Sequence, residues 1–430
     1  MKRSRGRYAT TAMTRDRSLL YAAAFARSTG VGMSGVLVGL YAAELGLSAP
    51  GVGATVSAGL LGVALGTLAI TLYAERLGRT RCLVGLAVLA AVGTAAFALA
   101  PVAWMLAPAA ALGMVNGMGR DRGAAFSIEQ AILPDLTDER GRTRAFAWYN
   151  VVLDLGHATG ALAGLLPSLA RHAGLAPLAS YRVGFLTVAA LSLVGAAAYA
   201  GLSAHARSRR ASVVKPPPIG PESKRRIARL AGLFAMDSLG GGFLTTALLS
   251  YWFFRRFGVG EETLAPLFLL ARIANGLSHL AAAWLARRIG LLRTMVFTHL
   301  PSSLLLLTVP IASSFPLAAL LFLVRECLVE MDVPTRQSYV VAVVGPGERA
   351  AAAGATNLVR TAGWAVAPAF AGAAMQGVAL WSPLAAGAAL KIIYDLLLYR
   401  GFRSGPTRRS TCALGNRPAG SGAWAGIASG

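Results

Sequence analysis

The chain has 430 residues, 55% of them hydrophobic and only 14% charged, with a mean hydropathy of +0.58. That balance excludes an ordinary soluble domain and places the chain in a lipid bilayer. A formal charge of +23 would suggest nucleic acid in a soluble protein, but the cations here sort by position along the chain, which phosphate binding does not require, and no nucleic-acid partner is expected.

Crossing a hydrocarbon core of roughly 30 Å takes about 20 apolar residues of helix. Runs of that kind predict twelve spans, at residues 18–44, 51–73, 82–100, 101–131, 145–168, 183–204, 228–254, 263–285, 293–313, 315–344, 351–376 and 378–399. They follow a basic N-terminal tail, 1–17, and precede a tail, 401–430, with the composition of a disordered segment. The opening "SLLYAAAFA" could be mistaken for a signal peptide, but the apolar pattern runs on as a full span. Between the sixth and seventh spans, "RSRRASVVKPPPIGPESKRR" reads as a linker, residues 205–227, joining a bundle over 18–204 to one over 228–400. With the N-terminus inside, the inner segments hold 29 Lys and Arg and the outer ones four, Arg171, Arg182, Arg255 and Arg256. This asymmetry predicts a multi-pass protein of the plasma or inner membrane with both termini cytoplasmic.

Cys82, Cys327 and Cys412 show neither disulfide nor metal spacing, so no metal site is expected. No G-x-x-x-x-G-K-[ST], H-E-x-x-H or G-x-S-x-G pattern occurs, so nothing points to ATP hydrolysis, zinc proteolysis or a serine hydrolase. No cofactor is expected, and the chain reads as a non-enzyme.

The two halves repeat. Asn150 and Asn357 lie 207 residues apart, as do Gln130 and Gln337, and Gly164 and Gly372 lie 208 apart. A half repeated in the same orientation across a central loop is a transporter pattern. The loop after the second span, "TLYAERLGRTR", carries Glu75, Arg76, Gly78, Arg79 and Arg81. It resembles the Gly-x-x-x-Asp-Arg-x-Gly-Arg-Arg/Lys loop of the major facilitator superfamily, with Thr71 in place of the first Gly; the matching loop "LARRIGLLR" puts Arg287 where the acid belongs. The resemblance covers nearly the whole chain. It implies an all-α membrane protein of twelve helices in two pseudo-symmetric six-helix bundles, alternating access, and a cytoplasmic gating latch at that loop. Gly156, Gly160 and Gly164, every fourth residue of the fifth span with Pro167 beyond, let helices approach closely and loosely resemble the glycine and proline motif of the family's exporters.

Eight basic residues, among them Arg272 and Lys391, and eight acids fall inside predicted spans. A lone charge at mid-membrane costs about 2.5–3.5 kcal/mol even on insertion scales, so these groups are expected to face one another or water. Helical spacing on the fourth and tenth spans predicts a cavity between the halves bounded by Arg27, Arg120, Asp121, Arg122, Glu129, Gln130, Asn150, Asp154, Asp237, Arg325, Glu326, Glu330, Asp332, Arg336, Gln337 and Arg360. Asp154 and Asp237 have no cation within a turn of their own helix, and with Glu129 they are the expected proton carriers. Lys391 and Asp395, four apart, are expected to form a local pair. Pro334 and the glycines of "DSLGGG" are candidate helix breaks. The expected function is secondary active transport of a small polar or ionisable solute by a monomer, favouring proton-coupled efflux as an antiporter. Proton-linked uptake of an organic anion and a non-transporting membrane sensor stand as alternatives.

Overall fold

The computed structural model describes residues 2–121, 123–137, 141–203, 221–342 and 348–402. Arg122, most of the linker and the tail from residue 403 lie outside the described residues, as do the side chains of Glu75, Pro334 and Gln337.

Among the described residues, sixteen α-helices follow in chain order: α1 (Lys2–Glu44), α2 (Ala49–Leu77), α3 (Arg79–Ala98), α4 (Leu106–Gly113), α5 (Ala124–Ile132), α6 (Arg142–Ala163), α7 (Leu166–His172), α8 (Pro177–Ala200), α9 (Pro221–Gly242), α10 (Thr246–Phe257), α11 (Glu261–Ile289), α12 (Leu291–Thr308), α13 (Phe315–Val329), α14 (Asp332–Ala342), α15 (Arg349–Gly377) and α16 (Ser382–Phe402). Joined where a short break interrupts one crossing, they make twelve spans. Nine helical stretches among the described residues are long and apolar enough to cross a membrane; the fourth, tenth and eleventh crossings complete the set. Helix α1 starts at Lys2 and α9 at Pro221, so segments expected as tail and linker are partly helical.

The halves share one packing scheme. In the first, α1 packs on α6 and α8, and α3 on α8 and α4; in the second, α9 packs on α15 and α16, and α12 on α16 and α13. Glycines set the closest of these contacts. A Cβ on Gly156 would stand 1.9 Å from the Ser28 hydroxyl and one on Gly160 2.0 Å from the Thr29 carbonyl, so the fifth span lies backbone to backbone on the first. The equivalent Gly363 presses α15 onto Ser238 of α9. The glycine face expected from sequence is therefore a packing surface inside the first half.

Across the halves, α2 meets α15 and α6 meets α11. One hydrophobic core runs through both halves at the face away from the chain ends, joining Tyr41, Val52 and Phe97 to Trp252, Phe268 and Phe322. Towards the face where α1 begins and α16 ends, the core divides in two: Leu20, Ile128 and Tyr149 belong to the first half's, Leu230, Met295 and Tyr394 to the second's. The halves are thus joined at one face and separate at the other, the terminal face.

The fourth span is broken, not continuous as expected. "MVNGMGRDRG" carries three glycines in ten residues, a poor helix former, and Gly119 takes φ +67°, which a side chain resists. The freed backbone groups find partners. Asn116 Oδ1 accepts from Met118 N at 2.9 Å, its Nδ2 donates to the Arg120 carbonyl at 2.7 Å, and Asp121 N donates to His157 Nε2 at 3.0 Å. The Gly117 and Met118 carbonyls accept from Ala247 N at 2.9 Å and the Thr246 hydroxyl at 2.8 Å, both on the second half. Irregular backbone at membrane depth survives only with such satisfaction. The seventh span also breaks, after the Gly240 to Gly242 run, and restarts at α10 with the Thr245 hydroxyl accepting from Leu248 N. The tenth breaks at Glu330 and Met331 between α13 and α14.

Candidate functional site

The buried charges gather in three clusters. Inside the first half, Arg27 of α1 bridges Asp121 and Glu129. Glu129 is fully buried, and its two oxygens also accept from the Tyr149 and Tyr199 hydroxyls. Arg27 and Asp121 line a cavity of about 100 Å³ within that half, not the one between the halves. Arg27 and Asp121 thus stand apart from the cavity they were expected to bound, and Glu129 has an arginine and two tyrosine hydroxyls as partners.

Inside the second half, Asp237 of α9 faces three cations. Its Oδ1 lies 3.0 Å from Lys391 Nζ, and its Oδ2 lies 3.5 Å from both Arg336 and Arg360. Asp237 has no cation within a turn of its own helix, and all three of its partners arrive from other spans. Arg336 also pairs with Asp332, and Arg360 lies over the Trp364 ring at 4.7 Å. Lys391 and Asp395 do not form the local pair expected: Lys391 turns to Asp237, and His299 of α12 sits between them, its Nδ1 3.0 Å from Asp395 and its Nε2 3.2 Å from Lys391 Nζ.

The third cluster spans the halves. Arg120, from the break in the fourth span, pairs with Glu330, at the break in the tenth, and His279 Nε2 lies 3.7 Å from the same carboxylate. Arg325 pairs with its neighbour Glu326, which also accepts from Asn275 Nδ2 at 2.9 Å. Arg272 donates to the Thr246 hydroxyl at 3.1 Å and, among the described residues, has no carboxylate within 4 Å. Asp154 of α6 is exposed and lies within electrostatic reach of Arg120, His279 and Arg272.

These last two clusters wall a cavity of about 150 Å³, room for about ten waters. Of the residues expected there, Arg120, Asp237, Arg325, Glu326, Glu330, Asp332, Arg336 and Arg360 line it, and Gln130, Asn150 and Asp154 do not. Arg272, His299, Lys391, Asn116, Thr246 and Trp364 line it as well and were not singled out from sequence as cavity residues. His299 lacks a one-helix signature, since its partners come from α9 and α16. Lys391 carried a signal, a cation inside a span, that its i,i+4 acid concealed. The rest of the wall is apolar, with Leu60 and Val63 from the first half and Leu249, Phe268, Phe322 and Val329 from the second.

The end away from the chain termini is sealed. Arg171 of the fifth span pairs with Glu261 of the eighth, whose other oxygen accepts from the Tyr181 hydroxyl at 2.9 Å. Ser57 of α2 accepts from Ala369 N, next to Pro368 in α15, at 2.9 Å. At the terminal face, Arg79, at the start of α3, pairs with Asp135 at 3.2 Å and donates to the Ala131 carbonyl, tying the second-to-third loop to the end of the fourth span.

The chain matches the family model described as Major Facilitator Superfamily over residues 20–368. It is 25% identical to an uncharacterized membrane protein of Saccharomyces cerevisiae, covering 90% of this chain and 93% of that one. Among solved structures, it resembles the nucleoside transporter NupG at 13% identity and TM-score 0.68, covering 90% of this chain and 99% of that one. It resembles a D-xylose–proton symporter at 14% identity and TM-score 0.67, covering 90% and 97%. The match over most of the sequence agrees with the twelve-span fold and the charge-lined cavity between its halves: the chain belongs to the major facilitator superfamily and is a membrane transporter, not an enzyme.

Proposed function

We propose that the protein moves a small organic anion across the membrane together with protons, by rocking its two halves around the central cavity. The supporting observation is the sign of the wall. Six cations line the cavity, Arg120, Arg272, Arg325, Arg336, Arg360 and Lys391, against four acids, Asp237, Glu326, Glu330 and Asp332. Each acid is already held by at least one cation or polar hydrogen, and Asp237 alone answers three cations. A carboxylate entering this space meets more cations than acids, Arg272 among them with no carboxylate within 4 Å among the described residues, whereas a cation would have to compete for acids already engaged. The apolar remainder of the wall suits a carbon body.

The positive-inside distribution supports a cytoplasmic terminal face, which makes the separated ends of the halves an opening to the cytoplasm. Proton-exchange efflux of a polar solute remains the second reading, favoured by that same opening. The glycine face of the fifth span lends it no support, being occupied by α1.

The test is flux in liposomes reconstituted with the full chain and loaded with a pH dye. Benzoate and succinate are compared with neutral benzamide and a small organic cation. The proposal expects anion entry that carries protons with it and is saturable. Transport confined to the neutral or cationic members would refute it, and proton loss accompanying solute entry would favour the exchanger.

A further inference from the structure

His299 is 1% exposed and Asp395 fully buried, and neither is explained by binding a solute alone. His299 Nδ1 lies 3.1 and 3.0 Å from the two Asp395 oxygens. Its Nε2 lies 3.2 Å from Lys391 Nζ and 3.9 Å from Asp237 Oδ1. An ammonium has three donors and no acceptor, so Nε2 must offer a lone pair to Lys391. The ring is therefore neutral, with its one hydrogen on Nδ1 directed at Asp395. While Lys391 stays in place, Nε2 cannot take a proton.

The other groups facing the ring are few. From its own helix, Ser302 and Ser303 lie one turn on. From α16 come Lys391, Asp395 and Tyr394, whose ring stands edge-on at 6.0 Å. From α9 comes Asp237, through which Arg336 of α14 and Arg360 of α15 act. Lys391 is the member of this set that both touches the ring and lines the cavity on a flexible stem.

We propose that His299 is the proton-binding group of the transport cycle, with Lys391 as the lever that links it to the solute and Asp395 as the group that orients it; this rests on the organic-anion reading above. A solute carboxylate draws the Lys391 ammonium away from Nε2. The freed lone pair takes a proton from hydronium at the open face: one O–H bond breaks, one N–H bond forms and a water molecule is left behind. The imidazolium then donates Nε2–H to Asp237 in place of the departed ammonium and keeps Nδ1–H on Asp395. One negative charge and one positive charge have entered, so the cavity's net charge is unchanged.

Two measurements decide it, both on the full chain. In liposomes, His299→Gln is expected to lose at least about tenfold of the accumulation driven by a pH gradient and clearly less of benzoate counterflow, since accumulation needs the proton site as well as the carboxylate site. Asp395→Asn is expected to weaken accumulation more than counterflow. Equal loss of both activities, or full accumulation in His299→Gln, would overturn the assignment. Nitrogen NMR of the histidine-labelled protein without solute, with the resonance assigned by its loss in His299→Gln, is expected to show a neutral ring protonated at Nδ1. A ring protonated at Nε2 would overturn it whether or not benzoate is carried. If wild-type protein shows no benzoate counterflow, the organic-anion reading falls, and the tautomer alone decides whether His299 is poised as described.

Discussion

Gly53→Val should tilt the balance between the two ends of the cavity. Gly53 sits where α2 crosses α15 at the sealed face, and a Cβ there would stand 2.3 Å from the Pro368 carbonyl oxygen and 3.1 Å from the Gly372 Cα. On the other side, a Cβ on Gly372 would stand 2.3 Å from the Ala49 carbonyl. These obstacles are backbone and cannot swing aside, so the helices must separate by about 1 Å to restore ordinary contact. Overpacking of this kind costs about 1–3 kcal/mol. The cost falls only on the state whose halves touch here; the state opened at this face escapes it. The equilibrium should therefore move about 5- to 150-fold towards that state. Thr361, on the cavity wall, reports the shift when replaced by Cys in a background without Cys82, Cys327 and Cys412. In oriented vesicles, labelling by an impermeant maleimide from the terminal face should slow and labelling from the opposite face should quicken. Unchanged rates in a protein that inserts normally would refute the reasoning, because they would mean that the two states do not differ at this crossing.

Three further outcomes follow from the same geometry. Arg171→Ala strips the nearly buried Glu261 of its cation across the sealed face, and for this partly exposed pair a loss of about 1–3 kcal/mol should raise labelling of the cavity from that face; no change in labelling would show that the backbone crossings seal it alone. Asp237→Asn leaves Lys391, Arg336 and Arg360 facing one another, and should destabilise the detergent-solubilised protein by about 3–5 kcal/mol, with partial rescue by Lys391→Met, in denaturant titrations. Carriage of a monoanion with one proton predicts benzoate uptake that responds to a pH gradient and ignores a potassium–valinomycin potential; a strong response to voltage would contradict the one-to-one count.

The helices were legible because bilayer thickness imposes a length and an apolar composition that sequence displays directly. The repeat was legible too, from Asn150 and Asn357 and from Gln130 and Gln337. The breaks were not. In the fourth span, the glycines of "NGMGRDRG" stood inside an apolar run long enough for a continuous helix, and the acceptors and donors that make a break tolerable, His157, Thr246 and Ala247, come from other spans. The pairing of charges failed for the same reason. Spacing along one helix assigned Lys391 to Asp395 and left Asp237 alone, whereas the partners that count reach it from α12, α14, α15 and α16. A charge inside a span announces that a partner exists, but a single sequence does not say on which helix.

The repeat also explains why the two halves do different work. Arg27 and Glu129 pair in the first half, and Asp237 and Arg336 stand at the equivalent positions of the second, 210 and 207 residues on, with the signs exchanged. In the first half, one cation is enclosed by two acids and two tyrosine hydroxyls, and Glu129 is wholly withdrawn from the central cavity. Opening that cluster would strand buried charge with nothing to replace the lost partner. In the second half, one acid is shared among three cations at the cavity wall, so a cation drawn off by the proposed solute carboxylate would leave the acid two partners. Under the proposed anion transport, the same pair of sites braces the first half and offers a replaceable contact in the second, and the inversion of sign decides which.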